Sequence, residues 1–128
     1  MSQLDPNSVV YLGPIDNSRI WDYQYFADVG IALAQGKVQH NESSKIYYYL
    51  RTGLPVVSEG PIPNNYLIKE TNLGLIADYA DDQVMAEMIE EAVHKKWHKK
   101  DAINYILSHH TWHKRAEAYE RLIEKHFC

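Results

Sequence analysis

The stretch that decides the fold is Asn41-Glu-Ser-Ser-Lys45-Ile-Tyr-Tyr-Tyr-Leu50-Arg-Thr-Gly-Leu-Pro55-Val-Val57. Its polar start is followed by residues that favour a short helix from about Ser43 to Thr52, and a glycine then ends that helix. Pro55 opens an apolar run with two valines, which is typical of a buried strand. A helix that leads directly into a buried strand indicates an α/β fold.

The start of this helix carries a cation where the backbone favours an anion. Either Ser43 or Ser44 can cap the helix, whose first N–H groups have no partners inside it. Lys45 follows in the first turn, where a positive charge opposes the helix dipole at a cost of about 0.3–1 kcal/mol. A bound phosphate would remove that conflict. The residues alone leave open a second interpretation, in which Lys45 is solvated and paired with Glu42.

Apolar runs and helical stripes alternate along the rest of the chain. The sequence predicts strands at Val9–Leu12, Val29–Leu33, Pro55–Ser58 and Leu73–Ile76. It predicts further helices after Asp16 or Asn17, after Asn64 or Asn65, from near Asp81, around Ala102–Leu107 and from Trp112 onward. We therefore predict a single α/β domain over residues 1–128, with a mainly parallel, Rossmann-like sheet of about four strands. Helices cover the faces of this sheet, and the C-terminal end is helical.

The predicted parallel sheet also indicates where a ligand would bind. Such sheets bind ligands outside the carboxyl ends of their strands, at the starts of the following helices. Ile46 and Leu50 share the helix face that suits the core, whereas Lys45 and Tyr48 share another. Only one tyrosine of the run 47–49 is expected to face the ligand, and the other two are expected to pack.

The stretch around Lys45 resembles the nucleotide-sugar-binding motif of GT-B-fold glycosyltransferases (the group 1-like enzymes), Ser-Pro-x-Lys-x-x-Glu-Tyr-x-x-x-Gly-x-Pro-Val-Val. The matching residues are Lys45, which Ser44 directly precedes, Tyr49, Gly53 and Pro55-Val56-Val57. Further pieces resemble the family in the family's order, namely Val9–Gly13, Tyr25–Leu33, Leu73–Ala77 and Thr111–His113. The resemblance therefore extends from Val9 to about Phe127.

The resemblance implies that this chain is the donor-binding, C-terminal part of such an enzyme. Lys45 would then hold the diphosphate of a nucleoside-diphosphate sugar, and Ser43 and Ser44 would donate hydrogen bonds to it. The sugar nucleotide is a substrate, so the resemblance implies neither a cofactor nor a catalytic metal. It identifies no catalytic residue in this chain.

Two carboxylates of the family pattern are missing from the chain. Tyr48 stands where the family has a ribose-binding glutamate, and a phenol cannot accept hydrogen bonds from two hydroxyls as a carboxylate does. In the related pattern with two glutamates, the first would fall at His40. Glu42 is close enough in sequence to substitute for the missing carboxylate.

The family's donor domain also begins with two βα units ahead of the strand that Val9–Leu12 resembles, and its acceptor domain precedes them. The chain is therefore expected to be an excised fragment, a truncated reading frame or one piece of a split enzyme. Its partner would be the missing N-terminal acceptor domain or the other piece. Because transfer requires both substrates held together, we expect the isolated chain to be inactive.

Composition narrows the class of protein. The 128 residues carry a formal net charge of −4 and no clustered basic patch, so we expect no nucleic-acid partner. The single cysteine, Cys128, excludes a disulfide framework and favours a reducing compartment. Residues 1–8 do not form a signal peptide, and no apolar run approaches the about 20 residues of a membrane span. We expect a cytoplasmic protein, with peripheral membrane contact left open.

Other side-chain groups have weaker functional interpretations. His94 and His98, and the cluster His109, His110 and His113, have spacings that could bind a metal. Nearby lysines and the lack of a completing ligand favour solvated helix faces, so we predict no metal site. Trp112 is expected to anchor the last helix to the sheet.

Alternatives to the glycosyltransferase interpretation also remain. One is a non-catalytic interaction domain that kept the sheet and lost the donor site. A phospho-receiver domain is disfavoured because Gly13-Pro14, not an acidic cluster, follows the first predicted strand.

The predicted strand Val29–Leu33 would expose an apolar edge where the family has its central strand. Two arrangements would cover that edge. Either Val9–Leu12 moves beside it to give a compact four-stranded sheet, or the edge pairs with a second copy to give a homodimer.

Overall fold

The fold, in a computed structural model, is described for residues 8–34, 41–77 and 81–127. Helices and strands alternate in its first part: α1 (Ile20–Phe26), β1 (Gly30–Ala32), α2 (Ser44–Thr52), β2 (Val56–Glu59), α3 (Tyr66–Thr71) and β3 (Gly74–Ala77). Three helices follow β3: α4 (Asp82–His94), α5 (Lys99–His109) and α6 (Trp112–Phe127). Short 3₁₀ turns at Asn17–Arg19 and Pro63–Asn65 lead into α1 and α3. The α/β class and the helical C-terminal end are therefore confirmed.

The three described strands form one open parallel sheet whose spatial order, β1-β2-β3, follows the chain. Its register places Ile31 beside Val57 and Val57 beside Leu75. Sequential parallel strands require a crossover between each pair, and α2 and α3 provide these crossovers.

The predicted strand at Val9–Leu12 is wrong. These residues form no strand, and the side chains of Val10 and Tyr11 are 75% and 89% exposed. A four-residue apolar run becomes a strand only when a neighbouring strand accepts its ladder of hydrogen bonds, and this run has no such neighbour among the described residues. The sheet therefore has three described strands instead of about four, and the compact four-stranded arrangement is also wrong.

β1 is covered on one face only. Ala32 is fully buried, but Ile31 is 40% exposed, so the expectation of a strand covered on both faces fails here. Ile31 points to the face opposite Ala32 because side chains alternate along a strand.

Helices cover both faces of β2, which lies at the centre of the sheet. Val56 packs into a cluster with Ile46 and Leu50 of α2, together with residues of α3 and α5. Val57, the next residue, packs into a second cluster with Met85 of α4 on the opposite face. These four apolar residues of β2 and α2 (Ile46, Leu50, Val56 and Val57) have no exposed surface, as expected for a central parallel strand and its crossover helix.

The predicted helix around Lys45 is confirmed as α2, including its end. Gly53 has a left-handed backbone, with φ of 74°, and its N–H donates to the carbonyls of Leu50 and Tyr49. The helices predicted after Asp16 or Asn17 and from near Asp81 are also confirmed. The Asp16 and Asp81 carboxylates each accept a backbone N–H at the start of the following helix. Asn65 precedes α3 as expected, but its side chain accepts no capping hydrogen bond there.

α6 does not pack as expected. None of its described residues is buried, and Trp112 is 83% exposed, so the prediction that Trp112 anchors the helix to the sheet is wrong. α2, α3 and α5 already cover that face of the sheet, which leaves Trp112 no core to enter. No helix among the described residues combines the length and apolarity that a membrane span needs.

Candidate functional site

The start of α2 is held at the carboxyl edge of the sheet by a buried asparagine. The Asn64 Oδ1 accepts the Ser43 N–H at 2.8 Å, and the Asn64 Nδ2 donates to the Ser43 carbonyl at 2.9 Å. Asn64 has no exposed surface, so this double hydrogen bond is shielded from water. Ser43 occupies the N-cap position, but its hydroxyl makes no capping hydrogen bond. The Asn64 side chain thus fixes the Ser43 backbone, and the Ser43 N–H group is already hydrogen-bonded to Asn64.

A second buried asparagine orders the loop after β2. Asn65 accepts the Ser58 hydroxyl at 2.6 Å and donates to the carbonyls of Glu59 and Gly60 at 2.7 and 3.1 Å. The Glu59 carboxylate in turn accepts the Ala34 N–H, just after β1. These hydrogen bonds join the carboxyl ends of β1 and β2 into one ordered edge beside α2.

Lys45 lies in the first turn of α2 with its side chain exposed. Among the described residues no carboxylate forms an ion pair with it. The pairing of Lys45 with Glu42 is therefore not found. Glu42 instead accepts the Tyr47 hydroxyl at 2.9 Å and lies 3.7 Å from the Arg115 guanidinium. The conflict between the lysine charge and the helix dipole is thus not relieved by any described residue.

A cavity of about 470 Å³ lies beside α2, where α5 ends and α6 begins. We call it the α2–α6 cavity. Three of the predicted site residues line it, namely Glu42, Ser44 and Tyr48. The other two, Ser43 and Lys45, are not among its lining residues. The structure therefore divides the predicted site between the cavity and the adjoining Lys45 side of the helix.

Both Tyr47 and Tyr48 line the cavity, whereas the sequence predicts that only one tyrosine of the run faces a ligand. Tyr47 and Tyr49 both pack against the core, and Tyr49 does so next to Gly30 of β1. The cavity is wide enough to take residues 100° apart on the helix, because the end of α5 and the start of α6 form its far wall.

A chain of polar contacts crosses the cavity wall. The Tyr47 hydroxyl donates to Glu42 and accepts a long hydrogen bond from Arg115 at 3.4 Å. Burial and the neighbouring Glu42 carboxylate raise the pKa of Tyr47 above its ordinary value. Tyr47 therefore stays protonated at neutral pH and acts as a hydrogen-bond donor.

Each of the two arginines in the cavity wall contacts an aromatic ring. The Arg115 guanidinium lies 5.7 Å from the Tyr47 ring centre and 5.9 Å from the Trp112 ring centre. The Arg51 guanidinium lies 5.5 Å from the Trp21 ring, and that ring meets Tyr48 edge to face. Cation–π contacts of this kind hold a guanidinium plane while leaving its N–H edges available.

The histidine cluster lies at the same junction of α5 and α6. The His110 ring is 5.8 Å from the Tyr47 ring, and the His109 ring stacks on Tyr105 at 4.8 Å. Burial, and then the charge of His109, lowers the pKa of His110. The Tyr105 hydroxyl donates to Glu70, which raises the pKa of Tyr105 to about 12. These contacts give the histidines a packing role at the junction.

The other histidine pair does not share a helix. α4 ends at His94, and His98 precedes α5, so their spacing is not helical. In the ranges 8–34, 41–77 and 81–127 no group of three or more histidine, cysteine, aspartate or glutamate side chains is placed to hold a metal ion. His40 and Cys128 lie outside the described residues.

Sequence reasoning missed both arginines of the cavity. A signal for Arg51 was present, because residues 44, 48 and 51 recur at helical spacing on one side of α2. Arg115 gave no such signal, because its position depends on the angle between α5 and α6.

No family model, curated protein or solved structure matches this chain. The arrangement of the described residues is therefore the basis for the function proposed next.

Proposed function

We propose that this chain is the donor-binding part of a GT-B-type glycosyltransferase and that it binds a nucleoside-diphosphate sugar at the start of α2. One observation carries the proposal. Lys45 stands exposed in the first turn of α2, without an ion-pair partner among the described residues. Buried hydrogen bonds fix that turn at the carboxyl edge of a parallel sheet.

The electrostatics of this turn favour a phosphate. The first N–H groups of a helix and its dipole attract an anion, whereas an unpaired lysine there is unfavourable without one. A diphosphate supplies that negative charge. Lys45 contributes a point charge, and Ser44 contributes a hydroxyl at the same turn. Tyr48, one turn along, can stack on a ring or donate one hydrogen bond to a ribose.

The topology supports the same site. Three sequential parallel strands with crossover helices are consistent with part of a Rossmann-like sheet, in which ligands bind at the carboxyl edge. The resemblance would make β1, β2 and β3 the fourth, fifth and sixth strands of the family's sheet, whose spatial order is 3-2-1-4-5-6. The observed order β1-β2-β3 agrees with its last three positions.

In the transfer reaction, the donor's sugar–phosphate bond breaks and an acceptor hydroxyl takes the sugar. The residues at the start of α2 would hold the diphosphate leaving group, whose charge increases as that bond breaks. The acceptor and the remaining donor contacts would come from a partner domain. The chain alone is therefore expected to bind the nucleotide without turning it over.

Nuclear magnetic resonance titration tests the proposal. We expect UDP or GDP at millimolar concentration to shift amide resonances of the ¹⁵N-labelled chain, and Lys45→Ala to abolish the shifts. Lys69→Ala is the matched control, because Lys69 is an exposed lysine in the last turn of α3. The corresponding nucleosides, which lack phosphate, are expected to cause no shift. Absence of any shift with both diphosphates would contradict the proposal.

The second candidate is a non-catalytic interaction domain derived from this fold. Tyr48 favours it, because a phenol replaces the carboxylate that the family uses on the ribose. The exposed apolar residues of α6, including Trp112 and Phe127, favour it as well. In that case neither diphosphate would bind, and Lys45→Ala would change nothing.

A further inference from the structure

We propose that the α2–α6 cavity is a second ligand site, which binds a planar, ring-bearing phosphate monoester. The site adjoins the proposed diphosphate site, because Ser44 and Tyr48 line the cavity as well, whereas Lys45 does not. It goes beyond the proposed function, because its positive charge comes from Arg51 and Arg115 and not from Lys45. Charge, guanidinium geometry and aromatic walls support it independently.

The charge in the cavity wall favours an anion. Arg51 and Arg115 contribute two positive charges, and Glu42 is the only carboxylate among the lining residues. The Tyr47 hydroxyl already binds that carboxylate at 2.9 Å. Arg115 forms an ion pair with Glu42 at 3.7 Å, so the two arginines leave one net positive charge in the wall. That distance is longer than a hydrogen bond, so the Arg115 N–H groups are not bonded to the carboxylate.

The two guanidinium groups also have donors to offer. Within the described part of the chain, the Arg51 guanidinium makes no hydrogen bond, and the Arg115 guanidinium makes only the long one to Tyr47. Arg115 is nevertheless positioned, because the rings of Tyr47 and Trp112 both contact it. A planar guanidinium held in this way can bind two oxygens of one phosphate through parallel N–H groups.

The remaining walls suit a ring. Tyr47, Tyr48 and Trp112 line the cavity, and Trp112 is 83% exposed. A ring stacked on Trp112 would cover that apolar surface and place its phosphate next to Arg115. The cavity volume of about 470 Å³ lies within the range of small-molecule pockets.

Phenyl phosphate is the simplest probe of this site. We expect it to shift the Trp112 indole N–H resonance and to bind more tightly than either phenol or inorganic phosphate alone. Arg115→Gln and Arg51→Gln are each expected to weaken its binding roughly tenfold, because each removes charge-assisted hydrogen bonds. Trp112→Ala should weaken binding of phenyl phosphate but leave that of inorganic phosphate unchanged.

Two control variants distinguish this site from nonspecific attraction to arginine and from the diphosphate site. Arg121→Gln removes an exposed arginine from α6 that does not line the cavity, and it should not change the affinity. Lys45→Ala should abolish diphosphate binding and leave phenyl phosphate binding intact. Failure of UDP and GDP to bind would overturn only the proposed function. Absence of phenyl phosphate binding, equal losses in Arg115→Gln and Arg121→Gln, or loss in Lys45→Ala would overturn the second site.

Discussion

The region around β2 and the helix α6 differ in which side chains they bury. Around β2, the polar residues Ser58, Asn64 and Asn65 are buried, and each is hydrogen-bonded. Along α6, apolar residues such as Trp112 and Phe127 are each 83% exposed. Contacts within the chain therefore stabilise the sheet and α2. The exposed apolar side chains of α6 instead remain accessible to a ligand or a partner.

The largest expected effect is at Gly74, in the β3 strand beside β2. Its φ is 152°, and an added Cβ would collide with the Val56 carbonyl of the neighbouring strand. Because neither backbone can move without breaking the sheet, Gly74→Ala is expected to lower the free energy of unfolding by about 3 kcal/mol. Urea unfolding followed by circular dichroism measures this loss.

Gly13 provides the matched control outside the core. It also has a positive φ, 70°, but an added Cβ would meet no atom within 4 Å. Gly13→Ala should therefore cost only the conformational strain, about 1 kcal/mol. If Gly74→Ala and Gly13→Ala lowered the free energy of unfolding equally, tight packing around β2 would not be the cause of the Gly74→Ala loss.

A smaller loss is expected at Asn65. Asn65→Ala would leave the buried Ser58 hydroxyl and the Glu59 carbonyl with only their long mutual hydrogen bond of 3.3 Å, at a cost of about 2 kcal/mol. Trp112→Ala removes many more atoms but from an exposed position, and it should change the stability by less than about 0.5 kcal/mol. A Trp112→Ala loss as large as that of Asn65→Ala, measured in the same urea series, would mean that α6 contributes to the core.

The sequence predicted the centre of the molecule better than its edges. The helical spacing of Ile46 and Leu50 and the valines after Pro55 were enough to predict α2 and β2, because both elements bury what the pattern marks as apolar. Val9–Leu12 and Trp112 have the same apolar character but lie exposed. Their burial depends on whether a neighbour is present, and a local pattern carries no information about that.

The candidate site divides in the same way. The position of Lys45 followed from the helix register, and so did Ser43 as the N-cap residue, although its hydroxyl makes no capping hydrogen bond. Asn64, which holds Ser43 from 21 residues away, gave no local signal of that role. Arg115 contacts Tyr47 across 68 residues, so its place in the cavity follows only from the tertiary structure.

The next prediction concerns the outer edge of β1, where a second copy of the chain could add a strand to the sheet. The Gly30 N–H donates to Pro55, toward β2, so the N–H of the next residue, Ile31, points to the outer edge. We expect a dimer in sedimentation, because this edge also exposes Ile31 and Leu33. Ile31→Pro should give a monomer by removing an edge donor, whereas Ile31→Ala, which keeps the N–H, should retain the dimer. A monomeric parent chain would rule out edge pairing.

The smallest expected effect is a dependence of stability on pH through His110. Burial, His109 and Arg115 lower its pKa, while Glu70 and Glu42 act in the opposite direction, and the rings of Tyr47 and Tyr105 pack against it. The folded state therefore favours the neutral imidazole. Its contribution to stability is present above the ordinary histidine pKa of about 6.5 and decreases as the pH falls below that value.

Unfolding midpoints measured between pH 7 and 5, a range about the ordinary histidine pKa, should show this decrease. His110→Gln should reduce the pH dependence, because glutamine does not titrate there. An unchanged pH dependence in His110→Gln would show that other groups cause it.

The central claim is that the start of α2 binds a diphosphate, and an amide chemical-shift map of the chain with UDP or GDP tests it most directly. We predict that the largest shifts fall on Ser44, Lys45 and Tyr48 and disappear in Lys45→Ala. Shifts confined to Arg51, His110 and Trp112 would place the nucleotide in the α2–α6 cavity and contradict the claim. Shifts that persist in Lys45→Ala, or no shifts at all, would contradict it as well.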